Sequence, residues 1–206
     1  MRNRILWALA ALLVVVALQT TPSRAETAAD PQAFIADLAK TAISTVADKQ
    51  IADTERRERF RRLFVSSFDL PDIGRFVLAR FWRTASPDQQ QQFLKLFEDI
   101  EVLTWSQRFK DYNGESLQTL STNIDADRGW VVDSQLVRVG QPAIPLQWKV
   151  HRAEDGSLKV VDIVVEGVSM ALTQRQDYAS VLQNGGGKLD SLFPILHNKI
   201  VDMGGS

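Results

Sequence analysis

The side chains that could do chemistry are few and scattered. The chain has two histidines, His151 and His197, and no cysteine. Neither histidine belongs to a ligand spacing such as His-x-x-x-His. The missing cysteine removes thiol nucleophiles, thiolate metal sites and disulfide staples. Gly185-Gly186-Gly187-Lys188 has the composition of a phosphate loop. It lacks the four-residue gap between glycines, Leu189 stands where Ser or Thr would be needed, and a helical stretch rather than a strand precedes it. A helix break accounts for it better. Ser169 follows Gly167-Val168 and no Gly-x-Ser-x-Gly is present, so Ser169 reads as a helix cap and not a nucleophile. Asp125 and Asp127 read as turn residues, and Glu98, Asp99 and Glu101 fall on the polar sectors of a helix. No catalytic residue, metal site or cofactor is expected.

The elements that would position any site alternate in a simple order. Asp30-Pro31 is a helix start, with Phe34, Ile35, Leu38, Ala42 and Val46 following at helical spacing. Asp53 or Thr54 can cap a second helix with Phe60, Leu63, Phe64 and Phe68 on its apolar face. Its other face is charged from Glu55 to Arg62, either a solvated surface or a docking patch. A third helix is expected over Asp69 to Arg83. Ser86-Pro87-Asp88-Gln89 has the form of a capping box. The helix it opens carries two apolar stripes: Phe93, Leu96, Phe97, Ile100 and Leu103 on one side, and Val102, Trp105, Phe109 and Tyr112 nearly opposite. A surface helix shows one such stripe, so this one meets apolar material on both sides. That material is either two packed neighbours or a core and a cavity.

After Asn113-Gly114 the period changes from 3.6 to 2. A weak strand within Ser116 to Ile124 precedes a turn around Asp125–Gly129 and a strand from Trp130 to Val139. Ile144, Leu146, Trp148 and Val150 then alternate with Gln147, Lys149 and His151. Asp155-Gly156 signals a hairpin, and Val161, Ile163 and Val165 share a face of the next strand. Helices return, with Leu172, Arg175, Ala179 and Leu182 on one face and Leu189, Leu192, Phe193, Leu196 and Ile200 on the last. Helices, then strands, then helices argue an α+β fold. It has a helical N-terminal half, an antiparallel meander of about four strands and C-terminal helices.

The first residues predict the compartment. Arg2 and Arg4 precede an uncharged apolar run from Ile5 to Leu18, and a small polar stretch ends at Ala25. This is the layout of a secretory signal peptide, with cleavage after Ala25. The run is shorter than the roughly 17–25 residues a spanning helix needs. Removing 25 of the 206 residues leaves 181, suited to a single domain over residues 26–206. Losing Arg2, Arg4 and Arg24 moves the net charge from −1 to −4. A mildly acidic protein is a poor partner for nucleic acid or for an anionic membrane surface. What remains is an aromatic and aliphatic surplus, including Trp82, Trp105, Tyr112, Trp130 and Trp148, in a chain with no reactive cluster. It implies either a large aromatic core or a cavity for an apolar ligand.

One ordered set of segments runs through Phe68-Asp69, Phe81-Trp82-Arg83, Ser86-Pro87, Gln89, Phe93-x-x-x-Phe97, Trp105 and Tyr112-Asn113-Gly114. It continues through Val161-Asp162-Ile163, Glu166-Gly167-Val168-Ser169, Gly186-Gly187 and Leu189-Asp190. Together, in this order, these segments resemble the MlaC family of periplasmic lipid carriers. The chain departs from the family pattern at Ala79-Arg80-Phe81, at Trp105, where the family usually has Tyr, and at Thr173-Gln174-Arg175. The resemblance implies a monomeric, non-enzymatic periplasmic carrier. Its cargo would be phospholipid or, in a specialised branch, hopanoid. Its partners would be an outer-membrane lipoprotein–porin complex and an inner-membrane MCE-type ABC transporter. The acyl chains would enter an apolar cavity between sheet and helices, leaving the headgroup at its mouth. The candidate lining residues are Trp82, Phe97, Trp105, Tyr112, Trp148, Val150, Ile163, Val165 and Val168. The alternative to a carrier is a lipid-free envelope adaptor with one dry core.

Overall fold

The computed structural model describes residues 30–46, 48–126 and 129–205. The expected signal peptide and Asp127 lie outside the described residues. Helix α1, Pro31–Val46, starts where Asp30 accepts a hydrogen bond from the Gln32 N–H at 2.9 Å. It buries Ile35, Leu38 and Val46. Helix α2, Asp53–Ser67, has Ala52 at its N-cap and no side-chain cap. Asp53 is instead its first residue and pairs with Lys110 at 2.5 Å. The charged face of α2 is not uniformly solvated. Arg56 is 2% exposed and donates to the carbonyls of Val46 and Asp48, tying down the end of α1 and the loop after it.

The single helix expected over Asp69 to Arg83 is broken in two. Helix α3 runs Leu70–Leu78 and α4 runs Arg80–Thr84, separated by Ala79 at φ 50° and ψ −118°. Helical periodicity continues across the break, which is why the sequence alone does not reveal it. Helix α5, Pro87–Lys110, opens with the expected reciprocal capping box. The Gln89 N–H donates to the Ser86 hydroxyl at 3.2 Å, and the Ser86 N–H to the Gln89 side chain at 3.0 Å.

Five antiparallel strands follow in a meander of order β1-β2-β3-β4-β5: Ser116–Asp125, Gly129–Arg138, Gln141–Arg152, Leu158–Val165 and Val168–Ser169. The segment expected to be a weak strand is a full β1, because every residue except Leu120, at the register shift, pairs with β2. Trp148 stands opposite Val132 on one side and Ile163 on the other. Register shifts interrupt all three long pairings, at Thr119/Ser121, Leu136/Arg138 and Lys149/Val150. Bulges of this kind bend strands and increase twist. One sheet face is polar and exposed: Asp133 accepts from Ser121, Asn123 and Gln147, each at 2.8 Å. The helices cover the other.

The chain leaves the sheet through a tight turn. Glu166 and Gly167 have φ of 51° and 83°, the left-handed pair of a two-residue hairpin. Ser169 then caps α6, Met170–Asn184, by accepting from the Leu172 N–H at 3.0 Å. Asp162 fixes this corner from the preceding strand. It accepts from the Ser169 hydroxyl at 2.7 Å and the Ala171 N–H at 3.0 Å, and pairs with Lys149 at 3.1 Å. The Asp162-to-Ser169 segment therefore has a structural role. On α6 the buried residues are Ala171, Tyr178 and Leu182, while Leu172, expected on the apolar face, is exposed. A short 3-10 turn, Leu189–Ser191, leads into α7, Phe193–Asp202.

The apolar residues form two buried clusters. The larger draws on all of α1 to α7 and on Val161 of β4, around Phe93, Phe97, Ile100 and Leu182. The smaller seals α1 onto the sheet through Ile35, Leu38, Val132, Val150, Leu158 and Val160.

Candidate functional site

Between these two clusters the sheet and the helices part around an apolar cavity of about 610 Å³. That volume lies within the range of small-molecule sites, about 300–1,000 Å³. One wall is the covered face of the sheet: Leu136 of β2, Ile144, Leu146 and Trp148 of β3, and Val161, Ile163 and Val165 of β4. Facing it is a stripe of α5 at i, i+4 spacing, Phe97, Glu101, Trp105 and Phe109, continued by Arg108 and Tyr112. From Phe97 to Phe109 this stripe is about 18 Å long at 1.5 Å per residue. Helix α1 contributes Leu38, Ala39, Ala42 and Ile43, α2 contributes Phe60, Leu63 and Phe64, and α6 begins with Met170 and Ala171 at the lining.

The two stripes of α5 now separate. Phe93, Leu96, Ile100 and Leu103 are core, as is Val102, whereas Trp105, Phe109 and Tyr112 border the cavity. The indoles on both walls are held by their polar ends. The Trp148 ring N–H donates to Ser134 at 2.9 Å and the Trp105 ring N–H to Glu101 at 3.1 Å. Locked rotamers let flat rings form wall without leaving a buried donor unpaired.

Charge gathers at one end. Arg108 and Asp111 are exposed, and Glu115 and Arg138 are half-buried, on the last turn of α5, the link to β1 and the end of β2. The Asn113 backbone N–H holds the Glu115 carboxyl below its ordinary value, with smaller help from Arg138 and Lys49. This end is the mouth. The opposite end is closed by Phe97, Phe64, Ile73 and Ala171, all buried. Beside Asp162 and Gln174, Glu101 is a third polar residue of the lining away from the mouth. Burial pushes its carboxyl above the ordinary value, against the hydrogen bonds it accepts from Gln174, at 2.5 Å, and from Trp105.

Of the nine residues singled out in the sequence, Phe97, Trp105, Tyr112, Trp148, Ile163 and Val165 surround the cavity. Trp82, Val150 and Val168 lie elsewhere. Trp82 belongs to α4 and packs against the larger cluster. Val150 shares a face with Trp148 but is fully buried one repeat further on, beneath α1. Val168 follows the tight turn and is 54% exposed. The α1 and α2 walls were absent from that set. Their apolar stripes are visible in the sequence, but nothing in a stripe distinguishes core from cavity. Glu101 was grouped with Glu98 and Asp99, and only the latter two meet Arg61. The available signal was its place midway between Phe97 and Trp105 on an otherwise apolar stripe.

The MlaC protein family matches residues 36–198. The chain belongs to the MlaC family. A solved structure, a phospholipid-binding protein from Ralstonia solanacearum in complex with a phospholipid, superposes with a TM-score of 0.77. It is 22% identical, and the match covers 85% of this chain and 99% of that one. The shared fold is the α+β arrangement expected from the sequence. The toluene tolerance protein ttg2D of Pseudomonas putida is 20% identical over 134 residues, 65% of this chain. The chain spans 62% of that relative's length.

Proposed function

We propose that this MlaC-family chain is a soluble periplasmic lipid carrier. It holds phospholipid acyl chains in the cavity and leaves the headgroup among the charges at the mouth. It shuttles lipid between an outer-membrane lipoprotein–porin complex and an inner-membrane MCE-type ABC transporter. The observation that carries this reading is the cavity itself, a slot of about 610 Å³ with apolar walls and a charged end. Its polar residues are few, and most of its lining is aromatic or aliphatic. The phospholipid held by the Ralstonia protein supports the same cargo class.

The physics requires such a device. A buried methylene is worth about 0.8 kcal/mol, so a diacyl lipid of roughly 30 methylenes is kept out of water by some 20 kcal/mol. A protein that takes up the chains removes most of that barrier. A charged headgroup left in water avoids the cost of burying it. The signal-peptide layout of residues 1–25 supports export, with residues 26–206 as the working domain. The test is transfer of a fluorescent phospholipid from donor to acceptor vesicles. The mature chain should accelerate it in proportion to its concentration, and no acceleration would overturn the proposal.

A further inference from the structure

Among the described residues two cations line the cavity, Arg108 of α5 and Arg138 at the end of β2. They differ in what already holds them. Arg108 is exposed, and its guanidinium lies over the Trp105 ring, 5.1 Å from the centroid. Arg138 is half-buried and is anchored across the β2–β3 hairpin, where its Nη2 donates to the Pro142 carbonyl at 3.1 Å. Its Nε is buried and has no acceptor among the described residues. Glu115 does not supply one. Its carboxyl accepts the Asn113 N–H at 2.7 Å, and Arg138 acts on it only through its charge. A buried N–H left without an acceptor is costly. In a folded protein such a group calls for an acceptor that the chain itself does not carry.

We propose that Arg138 is the phosphate subsite of the carrier, its guanidinium binding the phosphodiester of the cargo headgroup at the mouth while the acyl chains fill the slot. The inference rests on the carrier reading and deepens it. The position follows from the strand. Leu136 and Arg138 are two residues apart on β2 and both line the cavity, so the guanidinium stands one strand repeat outward from an apolar wall. The β2–β3 register shifts between these two residues, and a bulge re-aims the side chain beside it. The chemistry follows from the group. A guanidinium is a planar array of N–H donors, matched to phosphate oxygens in geometry as well as charge. The Pro142 carbonyl holds it in place, so less side-chain freedom is lost when the phosphate arrives.

The other charges at the opening favour a headgroup over a free anion. Asp111 and Glu115 border the same end of the cavity. They repel a lone phosphate. A headgroup with both signs suits them, with its phosphate on Arg138 and its ammonium toward the two carboxylates. Deeper in the lining Glu101 and Asp162 are carboxyls and offer a phosphate nothing.

The test is a competition. Lipid-stripped mature chain is loaded from vesicles holding equal amounts of a phosphatidylethanolamine and the diacylglycerol with the same chains, and bound lipid is counted by mass spectrometry. The wild type should take the phospholipid in excess. Arg138→Met, which keeps an unbranched stem, should lower the phospholipid-to-diacylglycerol ratio about tenfold, the low end for a hydrogen bond to a charged group. Its diacylglycerol loading should match the wild type. An unchanged ratio in the folded variant overturns the subsite and leaves the carrier intact. The wild type gives a second readout that needs no variant. In isotope-labelled protein the Arg138 Nε–H resonance should shift when phosphatidylethanolamine loads and stay in place when diacylglycerol loads. Equal shifts with both lipids, or none with either, overturn the subsite. Inorganic phosphate added to lipid-free protein should leave that resonance in place. If it moves the resonance and phosphatidylethanolamine does not, the site takes a free anion and the headgroup assignment falls. If neither lipid loads into folded wild-type protein, the carrier reading falls with it.

Discussion

Ala79 joins α3 to α4 at φ 50° and ψ −118°, a region that L-residues enter only under strain and glycine enters freely. Ala79→Gly should therefore stabilise the protein by about 1 kcal/mol, the low end of the cost of such a conformation. Chemical denaturation would check it, and a loss of stability would show that the methyl group's packing outweighs the strain. Glu101 makes the opposite kind of prediction. Its carboxyl is raised in the folded protein by burial, so the native state binds more protons than the unfolded one at pH values just above the ordinary Glu value. Stability is then highest below that value and falls as pH rises through the folded one. Unfolding midpoints across pH should show a downward slope in the wild type that Glu101→Gln removes. The exposed Asp53, Glu55 and Asp155 carboxyls are lowered by their hydrogen bonds and contribute the reverse slope at acid pH, common to both proteins.

At the scale of elements, the walls are only as firm as their anchors. Helix α1 supplies one wall and is held at its end by Arg56, whose guanidinium donates to the Val46 and Asp48 carbonyls. Arg56→Met should cost about 2–3 kcal/mol, because it strands buried carbonyls. Hydrogen exchange should report the loss first in α1. An unchanged α1 would place the anchor elsewhere. On the sheet side, Val165 faces the cavity opposite Leu146. Val165→Arg should leave the fold cooperative and abolish lipid retention, since a charge in the slot costs more than the acyl contacts return. A folded variant that keeps its lipid would mean that this wall is misplaced. The elements themselves were legible because caps and periods are local: the Ser86 box, the Ser169 cap and the alternation of Ile144 to Trp148 all stand as expected. The Ala79 break was hidden because Phe76, Val77 and Phe81 keep helical spacing across it. Trp148 and Val150 share one alternation, yet one lines the cavity and the other is sealed under α1. That difference is set by where a distant helix crosses the sheet, which no local pattern records.

For the whole molecule, the two clusters and the space between them form one device. The larger cluster ties α1 to α7 together, the smaller seals α1 to the sheet, and the bulged sheet covers what neither fills. A dry core would have brought Trp105, Phe109 and Trp148 together. Instead, ring N–H bonds to Glu101 and Ser134 hold the two indoles as facing walls. On the proposed reading, this space holds lipid in the cell. Organic extraction of the mature chain, residues 26–206, purified from periplasm without detergent, followed by mass spectrometry, tests it most directly. Near-stoichiometric phospholipid is the expected content of the extract. A folded protein that yields no lipid and refuses lipid from vesicles would contradict it and favour an adaptor.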